Sequence, residues 1–275
     1  MLDFNVDRDA CIRCGECAVT CVARIIFMTE DGPAIAPRDA ARCLRCQQCL
    51  AVCPTGSISI LGKDPRDSLN IQDAFPDPDA MLTLIKGRRS VRRYKKEAVP
   101  RETLDILLEA VSHAPTGVNM RDMIFTLVDD PAVMDKVRTE TMEAVGALAE
   151  AGAIPEELAF FKDLYGLWLE GADPVFRGAP HLLVVSHDAQ NPSGVNNATI
   201  ALAYFELMAQ SLGLGTLWCG LGKLAFTALV PEMCERLGIP ESQRIGYAMV
   251  FGAPDVHFAR TVQRDPSEVN IVTLD

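Results

Sequence analysis

Long apolar runs are missing from this 275-residue sequence. No stretch of about 18 apolar residues occurs, so no segment is expected to span a bilayer. The first ten residues, Met1 to Ala10, lack both a basic stretch and an apolar stretch, so no signal peptide is expected and the cytoplasm is the expected location. Positive charge is also scarce: 26 Lys and Arg stand against 37 Asp and Glu, a net charge of -11. General affinity for nucleic acid or an anionic membrane is therefore not expected. Histidine is rare, and His113, His181, His187 and His257 share no ligand spacing, which points to structural roles. No serine or cysteine nucleophile stands with a placed base. Nor is there a dinucleotide fingerprint: Gly213 and Gly215 lack a glycine at position 218, and a helical pattern precedes them instead of following.

What the chain does have is cysteine. Eight of its ten cysteines fall between Cys11 and Cys53. A disulfide framework belongs to small secreted chains, so this crowding points to metal. Two runs repeat at an offset of 32 residues: Cys11, Cys14, Cys17 and Cys21, then Cys43, Cys46, Cys49 and Cys53. Short apolar segments follow each, Ile25 to Met28 and Ile58 to Leu61, as in two stacked supersecondary units. Each run reads Cys-x-x-Cys-x-x-Cys-x-x-x-Cys, the spacing of a two-cluster iron–sulfur protein. Three thiolates at such intervals wrap one corner of a cubane, and the fourth points toward the partner cluster. One 4Fe–4S cluster is thus expected on Cys11, Cys14, Cys17 and Cys53, the other on Cys43, Cys46, Cys49 and Cys21. Zinc ribbons also use Cys-x-x-Cys pairs, but a tetrahedral ion takes two pairs, not four cysteines in tight series. Residues 1–62 resemble a bacterial-type two-cluster ferredoxin, with Val22 where the first run would usually carry proline.

From 63 to 78 the chain turns acidic and proline-rich (Pro65, Pro76, Pro78), which reads as a linker. Beyond it, helical and strand patterns alternate irregularly, the mark of an α+β domain over 79–275. A short apolar helix over 80–85 breaks at Gly87. Leu104, Leu107, Leu108 and Val111 mark one face of a helix that starts after Pro100 and ends by Pro115. Strands are expected at 123–128, 181–186 and 247–251, and helices at 131–151 and 196–212, the latter apolar on most sides.

Seven of the eleven residues from Lys86 to Lys96 are Lys or Arg, inside an acidic chain. Such a run reads either as a solvated face or, through Arg88, Arg89, Ser90 and Arg92, as a phosphate site. Small residues at Ala114-Pro115-Thr116-Gly117-Val118-Asn119 would let a ligand approach the backbone. Cys234 reads as a plain buried thiol, and Cys219 as a core residue or one facing a ligand.

These segments, with Gly213-Leu214-Gly215-Thr216-Leu217-Trp218 and the ending Gly246 to Pro254, resemble the FMN-dependent nitroreductase family over 79–275. The whole chain resembles a ferredoxin–nitroreductase fusion. The resemblance implies an α+β homodimer, mainly antiparallel sheet flanked by helices, with FMN in each interface site. By that resemblance Arg88, Arg89, Ser90, Arg92 and Arg264 would contact the flavin phosphate and pyrimidine side. Pro115, Thr116, Gly117 and Asn119 would reach the flavin held mainly by the other subunit, and backbone at Gly220, Leu221 and Gly222 would lie by its N5. Many relatives follow the asparagine with Gln-Pro-Trp, where this chain reads Met120-Arg121-Asp122. The expected function is an oxidoreductase passing electrons between clusters, FMN and a small conjugated acceptor, with a ferredoxin-like protein or NAD(P)H as redox partner. An electron carrier without its own substrate is the reading from another class.

Overall fold

The computed structural model describes residues 2–274, and two compact units divide them. The first unit runs to Pro76 and includes the short segment Thr116–Arg121; the second holds Asp77–Pro115 and everything from Asp122 onward.

The first unit is built from the sequence duplication. Strand β1 (Phe4–Val6) pairs antiparallel with β4 (Ile58–Ile60), and β2 (Ile26–Thr29) pairs antiparallel with β3 (Gly32–Ile35). Each cysteine run opens as a loop and closes on a short helix, α1 (Glu16–Thr20) or α2 (Gln48–Ala51). The residue before each helix is left-handed, Gly15 at φ 82° and Gln47 at φ 60°. Arg13 and Arg45, two residues earlier in each run, are left-handed too, at φ 57° and 55°. For a residue with a side chain this conformation costs about 1 kcal/mol or more, so a structure that keeps it twice over-determines the loop path. Ile25, Ile26, Leu50, Ile58 and Ile60 form the core beneath, together with Cys17 and Cys49.

In the second unit four strands form one antiparallel sheet: β5 (Ile124–Val128), β6 (His181–Asp188), β7 (Gly215–Trp218) and β8 (Gln243–Gly252), in the order β5-β6-β8-β7. Strand β6 is central and buried on both faces, which explains its unbroken apolar run. Its side chains alternate by the strand period of two. Leu183 and Val185 join Met249 and Phe251 against α4 (Arg101–Ser112) and α7 (Gly194–Ser211), which contribute Leu104, Leu107, Leu202 and Phe205. Leu182 and Val184 face the opposite side with Ala248 and Val250, covered by α5 (Pro131–Glu150) and α6 (Phe161–Leu169) through Met134, Met142, Val145 and Phe161. Helices therefore cover both faces of an antiparallel sheet, the α+β arrangement expected.

Caps set the helix starts. Asp130 accepts from Ala132 N–H at 2.8 Å ahead of Pro131, and Asp77 accepts from Asp79 and Ala80 N–H at the head of α3 (Pro78–Gly87). Strand β8 is longer than the 247–251 expected. Its polar start pairs with His187 and Asp188 at the end of β6, a partner the local sequence does not reveal. Among the described residues no helix is long and apolar enough to cross a membrane.

Candidate functional site

Two cavities in the first unit gather the clustered cysteines. One is lined by Cys11, Cys14, Cys17 and Cys53, with Ile12, Met28, Thr55 and Ser57 on its walls. The other is lined by Cys21, Cys43, Cys46 and Cys49, with Val22, Ala23, Ile25, Leu44 and Ile60. Each cavity therefore takes three cysteines from one run and the outgoing cysteine from the other. The helices follow from the same logic, because α1 and α2 carry the outgoing cysteines across to the opposite cavity.

The donor set fits a cluster better than a single ion. Zinc held by thiolates at about 2.3 Å brings its sulfurs within about 4 Å of each other. Among the described residues no three His, Cys, Asp or Glu side chains stand close enough to hold one metal ion. Four cysteines around each cavity, three of them in tight series, match the donor set of a 4Fe–4S cubane.

The surroundings of the sulfurs differ. Cys53 Sγ lies 3.3 Å from the donating Ser57 N–H, 3.2 Å from Ser57 Oγ and 3.6 Å from Thr55 Oγ1. Burial works against its thiolate, yet those hydrogen bonds outweigh burial and bring the thiol down to about 7. Cys43 Sγ accepts from Arg45 N–H at 3.4 Å. Burial pushes Cys49 up to about 11 and raises Cys17 as well. Cys14 and Cys46 are exposed, so each cavity has one edge open to solvent.

In the second unit the basic run docks beside β7. Ser90 bridges Thr216 in parallel, and Val91 N–H donates to Thr216 O at 2.9 Å. Arg88, Arg89 and Ser90 are half-buried, and Arg92 is exposed with Nη1 donating to Ser90 O. Arg88 Nη1 meets Glu206 Oε1 at 3.3 Å. The same oxygen accepts from Trp218 Nε1 at 3.1 Å and Thr216 Oγ1 at 3.3 Å. Arg89 donates through Nη2 to Lys86 O, while its Nε is buried with no hydrogen-bond partner. A buried guanidinium donor left open, beside a half-buried serine and arginine, suits an anionic group such as a phosphate ester. The residues therefore fit a flavin phosphate by their chemistry.

The remaining expected site residues lie on other segments. Gly220, Leu221 and Gly222 open α8 (Gly220–Leu224). A Cβ on Gly220 would lie 3.0 Å from Tyr247 Oη, and one on Gly222 would lie 2.8 Å from Cys219 Sγ and 3.0 Å from Phe176. Pro115 is exposed just beyond α4, whereas Thr116, Gly117 and Asn119 count with the first unit. Val118, Asn119 and Arg121 are all left-handed there, and Asn119 Nδ2 donates to Leu44 O at 2.9 Å. Arg264 lies in an exposed C-terminal stretch without helix or strand.

Of the isolated residues, Cys219 is a core residue: its Sγ lies 3.5 Å from Val175 O, and burial pushes its thiol up to about 12. Cys234 is half-buried with Sγ near Phe226 O. His181 and His187 are buried, while His113 and His257 are exposed.

Sequence reasoning passed over Glu206. The available signal was a single acid inside the apolar helix pattern at 196–212, which has no reason to be buried without a cation. It also passed over Thr55 and Ser57, which a comparison of the two repeats position by position would have picked out.

Residues 85–253 match the Nitroreductase family, and residues 10–57 match the 4Fe-4S dicluster domain. The iodotyrosine deiodinase of Thermotoga neapolitana is 28% identical over 144 residues, covering 50% of this chain and 71% of that protein. A NADH dehydrogenase of Thermus thermophilus is 26% identical, with 67% and 91% covered. Among solved structures, a nitroreductase with bound FMN from Desulfitobacterium hafniense superposes with a TM-score of 0.55 at 26% identity, covering 69% of this chain and 98% of that one.

Proposed function

Given that this chain belongs to the Nitroreductase family and carries a 4Fe-4S dicluster domain ahead of it, we propose that it is an iron–sulfur flavoprotein oxidoreductase with FMN and two 4Fe–4S clusters. When bound, the clusters supply single-electron transfer and FMN collects pairs of electrons for a small conjugated acceptor. The observation that carries the reading is the pair of four-cysteine cavities in a chain whose second unit has a nitroreductase architecture. The relative from Desulfitobacterium hafniense, solved with FMN, supports the flavin.

Each residue has a specific task in this reading. Cys11, Cys14, Cys17 and Cys53 hold one cluster; Cys43, Cys46, Cys49 and Cys21 hold the other. The exposed Cys14 and Cys46 edges let an external donor approach. Arg88, Arg89, Ser90 and Arg92 hold the flavin phosphate and pyrimidine side, with Glu206 orienting Arg88 by their 3.3 Å contact. Pro115, Thr116, Gly117 and Asn119 approach the flavin of a second copy, Gly220, Leu221 and Gly222 line it with backbone, and Arg264 adds a further contact to the phosphate. The second copy also explains the exposed apolar residues Ile200 and Tyr204 on α7.

A second route of electrons has its own support. Relatives include a NADH dehydrogenase and an FMN reductase [NAD(P)H] of Bacillus subtilis, so a nicotinamide could reduce the flavin directly and the clusters hand electrons out.

The test is anaerobic mixing of fully reduced holoprotein with a nitroaromatic, a quinone and an iodinated tyrosine, the last because a relative is an iodotyrosine deiodinase. Stoichiometric flavin reoxidation by one of them is expected. Reoxidation by a redox protein alone would leave a carrier without a substrate of its own. Flavin bleaching by NADH or NADPH with no other donor would establish the second route.

A further inference from the structure

The two cysteine runs are near-copies, so the molecule contains its own controlled comparison. At the offset of 32 residues, Cys21 corresponds to Cys53, Ala23 to Thr55 and Ile25 to Ser57. After the outgoing cysteine the first copy reads Val22-Ala23-Arg24-Ile25 and the second Pro54-Thr55-Gly56-Ser57, so the second carries two hydroxyls where the first has Ala23 and Ile25. The structure turns this into different surroundings for sulfur. Ser57 is 4% exposed and aims both N–H and Oγ at Cys53 Sγ, at 3.3 and 3.2 Å, with Thr55 Oγ1 at 3.6 Å. A ligating cysteine is a thiolate with no proton, so in the loaded protein both hydroxyls can only donate. Ala23 and Ile25, by contrast, line the other cavity, whose wall also carries Gln47 and Gln48, and their side chains hold no donor for Cys21 Sγ.

We infer that the two centres have different reduction potentials, the one on Cys11, Cys14, Cys17 and Cys53 being the higher, with Ser57 the chief cause and Thr55 the lesser. This rests on the reading that the cavities hold 4Fe–4S clusters. Reduction adds one electron and hence one negative charge to a cluster. Donors aimed at its sulfurs stabilise the reduced form, and the Ala23 and Ile25 side chains offer none. Some other groups are matched between the copies. Arg13 and Arg45 occupy equivalent places, both exposed, and Cys14 and Cys46 are equally open to solvent. Three features oppose the effect: Glu16, where the second copy has Gln48; Arg24, where it has Gly56; and the Arg45 N–H that donates to Cys43 Sγ at 3.4 Å. Glu16 and Arg24 are exposed, so solvent and salt screen their charges. The single Arg45 N–H stands against three donors on Cys53 Sγ, of which the two from buried Ser57 are less screened. Two electrons arriving from outside would then settle in order, the first on the hydroxyl-bonded centre.

The test is an anaerobic potentiometric titration of the holoprotein followed by EPR, in which each cluster takes one electron from the mediators. Wild type should show two separate one-electron steps. Ser57→Ala should move the higher step downward, lowering its reduced-to-oxidised ratio at fixed potential about tenfold (about 59 mV for a one-electron centre), and leave the lower step in place. Thr55→Val, at an exposed position, should move the same step in the same direction by less, and it carries the test if Ser57→Ala does not assemble. The reciprocal Ala23→Thr should raise the lower step. Coincident wild-type midpoints, or a Ser57→Ala shift confined to the lower step, or no shift from Thr55→Val, would overturn the inference with the iron content intact. A preparation that never binds iron would instead sink the cluster reading beneath it.

Discussion

The Glu206 carboxylate and the Arg88 guanidinium meet at 3.3 Å across 118 residues of sequence, both largely shielded from water. A buried acid with one cation and two neutral donors on a single oxygen is a fixed object, because removing a partner leaves an uncompensated charge that costs about 3–5 kcal/mol. It holds the guanidinium at the start of the basic run, where the flavin phosphate is expected.

Two substitutions separate holding from contact. Arg88→Ala removes a charge-assisted bond of about 1.5–3 kcal/mol and should weaken FMN binding roughly 10- to 100-fold. Glu206→Gln keeps an acceptor for Trp218 and should weaken it less. Flavin fluorescence quenching in titrations of deflavinated protein measures both, and unchanged affinity in Arg88→Ala would remove this residue from the site.

The cavities, not the runs, define the expected clusters. Cys21→Ala with Cys49→Ala takes two ligands from one cavity and should halve iron from about eight to about four per chain. Cys17→Ala with Cys21→Ala takes one from each cavity and should damage both clusters. Iron analysis with EPR decides it. If the first pair disturbed both clusters and the second only one, the crossed wiring would be wrong.

Gly215 lets the basic run lie against β7. A Cβ there would meet Val91 Cγ2 at 2.5 Å and Val91 Cβ at 2.7 Å, with no flexible end able to yield. Gly215→Ala should cost about 1–3 kcal/mol by overpacking and lower FMN affinity as the 88–92 segment shifts. A variant with wild-type melting and wild-type flavin content would contradict the role given to this glycine.

His181 makes the second unit sensitive to acid. Val99 N–H donates to its Nε2 at 2.8 Å, so the ring proton sits on Nδ1, facing Val128 O at 3.3 Å. Burial lowers its pKa from the usual 6.5, since a charged imidazole would lose the Val99 bond and its hydration together. The unfolded chain then binds the proton more readily. The stability contribution is complete above the unfolded value and is lost as pH falls below it. The wild-type Tm should fall from about pH 7.5 to about pH 5.5 by more than that of His181→Gln. Equal slopes would show that another group carries the acid sensitivity.

Local patterns announced much of this molecule. The cysteine spacing, the helix from Arg101 and the strand from His181 could be read because each depends on near neighbours or on a simple period. The polar start of β8 could not, since Gln243 and Arg244 become strand only by pairing with Asp188 and His187. Glu206 was hidden for the same reason: its partner lies 118 residues away. The segment Thr116–Arg121 reads as a loop past a helix end. Its membership of the first unit depends on left-handed residues and on the Asn119 bond to Leu44, neither visible in composition.

The most direct measurement is an anaerobic reductive titration of holoprotein, with visible absorbance for the flavin and EPR for the clusters recorded on the same samples. The account expects uptake of about four electrons per chain, one for each cluster and two for FMN, with flavin and clusters reaching redox equilibrium at every point. Flavin that stays oxidised while both clusters are fully reduced would contradict it.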